Sequence, residues 1–179
     1  VVVKITLELS NTNKIKVKKM TFTDNQANAD AQLNKPVLKE GSRGQAVEEL
    51  QLLLQKYCAY SGAVDGIFGS ATTGAVRLFQ YRVFLTQDGI VGDKTWRSLY
   101  KGAPVDMPTL KRGSKGQLVK TLQERLHIAG EYAGEFDGDF GSATEAGVKS
   151  FQEGNGLSAD GIVGDRTWFA LGKVAELGC

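Results

Sequence analysis

Four aspartates recur at fixed spacing, each followed by glycine. Asp65, Asp88, Asp137 and Asp160 open four copies of Asp-Gly-x-[Phe/Val]-Gly-x-x-Thr, ending at Thr72, Thr95, Thr144 and Thr167. Carboxylates at set intervals could serve cation binding. The flanking residues argue against it. Read as a calcium loop from Asp137-Gly138-Asp139, the sequence puts Ser142 where the sixth position needs glycine and Val148 where the twelfth needs a bidentate glutamate. A zinc peptidase needs several His, Asp or Glu ligands, but His127 is the single histidine and no H-x-x-x-D or H-x-H pattern occurs. A Cys–His nucleophile would have to pair His127 with Cys58 or Cys179, and neither carries a local signature. No catalytic residue, metal or cofactor is expected. The aspartates instead read as turn formers, each carboxylate accepting backbone N–H groups of its own turn.

The elements that carry these turns are duplicated. The four copies lie 23 positions apart within a half (65 to 88, 137 to 160) and 72 apart between halves (65 to 137, 88 to 160). At that offset, Pro36–Leu99 aligns with Pro108–Leu171 without a gap. Each half is long enough for its own small core, so two tandem domains are expected rather than a stacked solenoid.

Each half reads as three helices. Val47, Leu50, Leu54 and Tyr57, and Val119, Leu122 and Leu126, recur at helical spacing. Ser42 with Gln45, Ser114 with Gln117, and Ser142 with Glu145 fit capping boxes. The second helix begins near Ser70 or Ser142, with Val76 and Phe79, or Val148 and Phe151, facing inward. The third begins near Asp93 or Asp165 as N-cap and presents Trp96 and Leu99, or Trp168 and Leu171. In the turns, Ile67 and Phe68, Ile90 and Val91, Phe140, and Ile162 and Val163 are expected to dip into the core.

Residues 1–23 differ. Val1, Val3, Ile5, Leu7 and Leu9 alternate with polar residues, Ser10–Asn13 is turn chemistry, and Lys14–Lys18 alternates again. A β-hairpin is expected, marginal alone and therefore a candidate for homo-oligomerisation or for a partner protein. The fold class is mainly α: two tandem three-helix modules preceded by an N-terminal β-hairpin. The expected organisation is the hairpin at 1–23, a linker at 24–35, a first repeat at 36–100, a linker at 101–107, and a second repeat with its tail at 108–179.

The 179 residues are 41% hydrophobic and 23% charged, ordinary for a globular chain. A net charge of +2 gives no reason to expect nucleic acid, and no apolar run could span a membrane. No signal peptide is visible at Val1-Val2-Val3. Cys58 falls at a helix end and reads as a small apolar packer; a Cys58–Cys179 bridge is the alternative.

The run L-K-x-G-S-x-G-Q-x-V-x-x-L-Q, then D-G-x-F-G-S-A-T, V-x-x-F-Q and D-G-I-V-G-D-x-T-W, resembles the peptidoglycan-binding domain type 1 family over residues 36–172. The resemblance implies small three-helix modules that anchor a protein or enzyme to peptidoglycan, in the cell envelope, periplasmic or extracellular. The expected role is a non-catalytic binding module; a targeting fragment of a cell-wall hydrolase is one alternative, and the hairpin at 1–23 motivates another, a structural or assembly protein.

Peptidoglycan presents sugar rings, amides and carboxylates. Aromatic faces, bases and side-chain amides suit it, which selects Tyr60, Arg77, Gln80 and Trp96, their counterparts Tyr132, Lys149, Gln152 and Trp168, and Asn155. Arg77 and Lys149 stand three residues before their glutamines, so each pair is expected on one helix face. The plain alternative is that the glutamines tie down a loop and the tryptophans are core. The repeats also differ. Gly130 and Gly156 are natural left-handed helix ends, whereas the first repeat has Cys58 and Phe84 there. Its loops should then follow another path or its helices run longer; alternatively Tyr81, Arg82 and Phe84 form a variant binding edge.

Overall fold

The computed structural model describes residues 34–174, which lie within one compact unit spanning 32–179. The hairpin expected over 1–23 lies outside the described residues.

Six helices follow in order: α1 (Gln45–Lys56), α2 (Ser70–Arg82) and α3 (Asp93–Lys101) in the first repeat, then α4 (Gln117–Ile128), α5 (Ser142–Gly154) and α6 (Asp165–Lys173) in the second. The helical spacing read from sequence marks the buried side. Val47, Leu50, Leu54, Val76, Phe79, Trp96 and Leu99 form one core with Leu38, Phe68 and Val91. Val119, Leu122, Leu126, Val148, Phe151, Trp168 and Leu171 form the other with Leu110, Phe140 and Val163. In each repeat the segment before the first helix is pinned to both Asp-Gly corners by isolated antiparallel bridges. These are Leu38 to Val91 and Arg43 to Ile67, and Leu110 to Val163 and Lys115 to Asp139.

The bridges correct one expectation. Adjacent residues of extended chain point to opposite sides. Phe68, Val91, Phe140 and Val163 are therefore buried, while Ile67, Ile90 and Ile162 stay outside, each about 40% exposed.

Helix starts also differ from the reading of the sequence. All six N-caps are glycines: Gly44, Gly69, Gly92, Gly116, Gly141 and Gly164. None of the six helices has a side-chain cap bond. Ser70, Ser142, Asp93 and Asp165 are the first helical residues instead. Ser42 and Ser114 close the preceding turn, where their hydroxyls accept from the N–H of Lys39 and Lys111 (both 3.1 Å).

At the helix ends the two repeats follow one path. Cys58 and Phe84 adopt φ of 52° and 60°, beside 80° and 67° for Gly130 and Gly156. The closing bonds correspond. Ala59 N–H to Leu54 O matches Glu131 N–H to Leu126 O, and Leu85 N–H to Gln80 O matches Leu157 N–H to Gln152 O. The helices have equal lengths in both repeats. The first repeat thus holds two non-glycine residues in left-handed backbone, at roughly 1–2 kcal/mol each. Cys58 is disulfide-bonded, which corrects the expectation of an apolar packing thiol.

The linker is packed rather than loose. Ala103, Pro104 and Val105 are buried. Arg97 holds Asp106 through both guanidinium nitrogens and also Asp93 at 2.8 Å. Beyond it the repeats meet. The Phe84 ring packs edge-on against Trp168 at 4.9 Å. The Arg125 guanidinium lies 3.9 Å over Tyr81 and 5.0 Å over Phe84, and donates to Tyr81 O. Burial pushes the Arg125 guanidinium below its ordinary range. A Cβ on Gly172 would stand 3.2 Å from Arg82 O, so glycine lets α6 approach the end of α2 this closely.

Candidate functional site

Each Asp-Gly corner is closed by one buried glutamine from a neighbouring helix. The Gln51 amide donates to Asp65 Oδ1 (2.9 Å) and Thr72 Oγ1 (3.3 Å), and its Oε1 accepts from Gly66 N–H (3.0 Å). Gln80 repeats this with Asp88 (2.7 Å), Thr95 (3.3 Å) and Gly89 (3.0 Å). Gln123 does so with Asp137 (2.7 Å), Thr144 (3.1 Å) and Gly138 (3.0 Å). Gln152 does so with Asp160 (2.9 Å), Thr167 (3.1 Å) and Gly161 (2.9 Å). The same Oδ1 of each aspartate accepts the backbone N–H two residues on, at 2.8–2.9 Å. Donation from Gln51 and from Gln123 holds the Asp65 and Asp137 carboxyls below their ordinary range, and the Ile162 N–H followed by Gln152 does so for Asp160. Buried polar groups persist when fully bonded; the clasp satisfies side chain and backbone together.

Of the sequence candidates, Gln80 and Gln152 are therefore buried inside these clasps, and their amides point into the scaffold. Trp96 and Trp168 are wholly buried, and their indole N–H groups donate to Pro36 O and Pro108 O, both at 2.9 Å. Tyr132 is buried and the half-buried Tyr60 sits likewise: their hydroxyls donate to Glu135 O (2.8 Å) and Ala63 O (2.9 Å). Arg77 is exposed and lies over the corner that Gln80 closes, where a Cβ on Gly89 would stand 3.1 Å from Arg77 Nε. Lys149 is partly exposed and pairs with Glu145 at 2.9 Å. The exposed Asn155 donates to Phe151 O at 2.8 Å. Sequence reading missed Gln51 and Gln123. The signal was present, because each follows a core leucine as Gln80 and Gln152 follow a core phenylalanine.

A surface groove of about 300 Å³ lies in the second repeat, where the ends of α4, α5 and α6 converge. Phe151, Ala129 and Ala170 supply apolar wall, and Glu131, Asn155 and Lys173 supply polar groups. Glu131 accepts from the Ser150 hydroxyl. The corresponding space in the first repeat is about 20 Å³, lined by Tyr57, Phe79, Arg82 and Val83 and closed over by Phe169, Gly172 and Lys173 of the second repeat. Arg82 is buried there and donates to Tyr57 O. Among the described residues no group of three or more His, Cys, Asp or Glu side chains could hold a metal, and no helix is long and apolar enough to cross a membrane.

Comparison with known proteins agrees with this duplicated scaffold. The family described as "Putative peptidoglycan binding domain" matches twice, at residues 43–99 and 115–171. The N-acetylmuramoyl-L-alanine amidase CwlM of Mycobacterium tuberculosis is 36% identical over 153 residues, covering 75% of this chain and 37% of the amidase. The spore cortex-lytic enzyme of Bacillus cereus is 40% identical over 91 residues, covering 49% of this chain and 35% of the enzyme. The crystal structure of the SleB N-terminal domain is 40% identical, covering 39% of this chain and 96% of that domain, with a TM-score of 0.38. The chain spans little more than a third of the length of these two enzymes. With both halves matched in register, the chain belongs to the peptidoglycan-binding domain family, in two tandem copies.

Proposed function

We propose that this chain is a non-catalytic module that holds a protein on bacterial peptidoglycan, as the wall-targeting part of a cell-wall hydrolase in the cell envelope. The observation that carries the reading is the double family match on a scaffold whose repeated carboxylates and amides are spent on one another. Each aspartate already accepts two bonds at one oxygen, which suits a structural corner better than a general base. The partial overlap with an amidase and a cortex-lytic enzyme supports the targeting role. Among the nine candidate side chains, Arg77, Asn155, Lys149 and Tyr60 are those we assign to ligand contact, because they retain exposure. Gln80, Gln152, Trp96, Trp168 and Tyr132 hold the module in shape.

The test is co-sedimentation of the full chain with purified insoluble peptidoglycan, alongside an assay for released amines and reducing ends. Binding without release is expected. A chain left in the supernatant at low salt, or one that solubilises the wall, overturns the reading.

A further inference from the structure

We propose that the groove of the second repeat binds the free ammonium of a diamino acid in a wall stem peptide, and that the first repeat has no such site because it carries its own cation there. This inference rests on the peptidoglycan-binding reading above.

The argument comes from comparing one groove in its two copies. In the first, Arg82 fills the space and donates to the Tyr57 carbonyl at the end of α1. The second repeat then closes over it. In the second, glycine stands at the matching position 154, and the space above Phe151 is open. A Cβ on Gly154 would meet no atom nearer than Glu131 Oε1, at 3.9 Å. The carbonyl matching Tyr57 O is that of Ala129, also at a helix end. The groove further gains a carboxylate, since Glu131 stands where the first repeat has Ala59. A site whose twin is satisfied by a built-in guanidinium has thus lost that cation and acquired an anion. A cationic group on an apolar stem is its electrostatic and steric complement. Lys173 and Asn155 on the rim can meet the carboxylate and amides of the same peptide. A neutral glycan offers no charge for Glu131, so the occupant assigned is peptide, not sugar.

One substitution copies the first repeat's solution. Gly154→Arg should lay a guanidinium across the groove. Gly154 is the last residue of α5 and is exposed, so the fold accommodates the change. Glu131→Gln keeps the hydrogen bond with Ser150 and removes the charge. Calorimetric titration of the full chain would use a soluble muropeptide with a free diamino-acid ammonium, the same muropeptide N-acetylated at that amine, and a peptide-free glycan. Expected are a loss of tenfold or more for Gly154→Arg, for Glu131→Gln and for the acetylated ligand, no binding of the glycan, and unchanged thermal midpoints for both variants. Equal affinity of Gly154→Arg and the unaltered chain, or preference for the glycan, overturns the groove while leaving wall binding intact if the unaltered chain still co-sediments. Failure of the unaltered chain to sediment overturns both.

Discussion

Position for position, the first repeat carries Leu53, Arg82, Phe84 and Tyr100 where the second carries Arg125, Gly154, Gly156 and Gly172. The surrounding scaffold is the same, down to the glutamine that closes each corner. Most of these differences fall where the repeats touch. Phe84 meets Trp168, Arg125 covers Tyr81, and Gly172 lies against Arg82 O. Duplication supplied two equal modules; divergence made the end of α2 in one and the face of α6 in the other into partners. The second repeat kept its own α5 end small and polar, with Gly154, Asn155 and Gly156, and there the groove stays open. Shared positions build the module, and unshared ones decide what each module touches.

Removing a clasp is the strongest way to test the shared half of that comparison. Gln51→Ala and Gln123→Ala each strand a buried glycine N–H and strip the amide donor from the aspartate and threonine oxygens, at about 3 kcal/mol by the cost of unsatisfied buried groups. Because the two clasps share their aspartate, glycine and threonine partners, the losses should agree to within about 1 kcal/mol in denaturant titrations, Gln51→Ala being the larger by its added bond from the Asp65 N–H. A loss in one repeat alone would mean the corners are held by something other than the glutamine.

Phe84 tests the unshared half. Phe84→Ala removes the ring from Trp168 and Arg125 but leaves a side chain in left-handed backbone, with an expected cost of about 2 kcal/mol for a partly buried aromatic. Phe84→Gly loses the same contact yet relieves the backbone, so it should be more stable than Phe84→Ala by about 1 kcal/mol. That order reverses the usual penalty of glycine relative to alanine. If alanine proves the better residue, the strain at this helix end is not real.

Much of this fold was legible beforehand, because its signals are local. Helical spacing found the buried faces of α1, α2, α4 and α5, and the Asp-Gly pairs found the corners. What escaped depends on partners distant in sequence. Gln51 reaches 14 residues to Asp65 and 21 to Thr72, which no turn rule anticipates. Gln80 and Trp96 are chemically fit for a ligand, and only burial shows that they serve the interior. The Cys58 and Phe84 loops were expected to diverge from Gly130 and Gly156 because the strain of a non-glycine residue argued against a shared path. Packing against Trp168 offsets part of that strain at Phe84, and such contacts are invisible until the repeats are seen together.

Acid should weaken both repeats through the same corners. The carboxyls of Asp65, Asp137 and Asp160 titrate below their ordinary range in the folded chain, held there by glutamine and backbone donors. A depressed folded value stabilises above the unfolded value and is lost as pH falls through the folded one. Thermal midpoints should therefore hold steady from neutral down to about pH 5 and fall below about pH 4, where free aspartate protonates. Asp137→Asn should flatten that decline in part. A midpoint already falling between pH 7 and 5 would place the sensitive group elsewhere.

The smallest effect belongs to the serine that looked most like a cap. Ser142 precedes Glu145 by three residues, yet it is the first residue of α5. Gly141 occupies the cap, no side-chain cap bond forms, and Glu145 turns to Lys149 and Arg112. A true serine cap replaced by alanine costs about 1 kcal/mol. At a first helical position alanine is instead a better helix former than serine, by a few tenths of a kcal/mol. Ser142→Ala should therefore leave stability unchanged or raise it slightly, and Ser70→Ala should do the same in the first repeat. A loss near 1 kcal/mol in either, measured by denaturant midpoint at constant slope, would mean that serine caps the helix in solution.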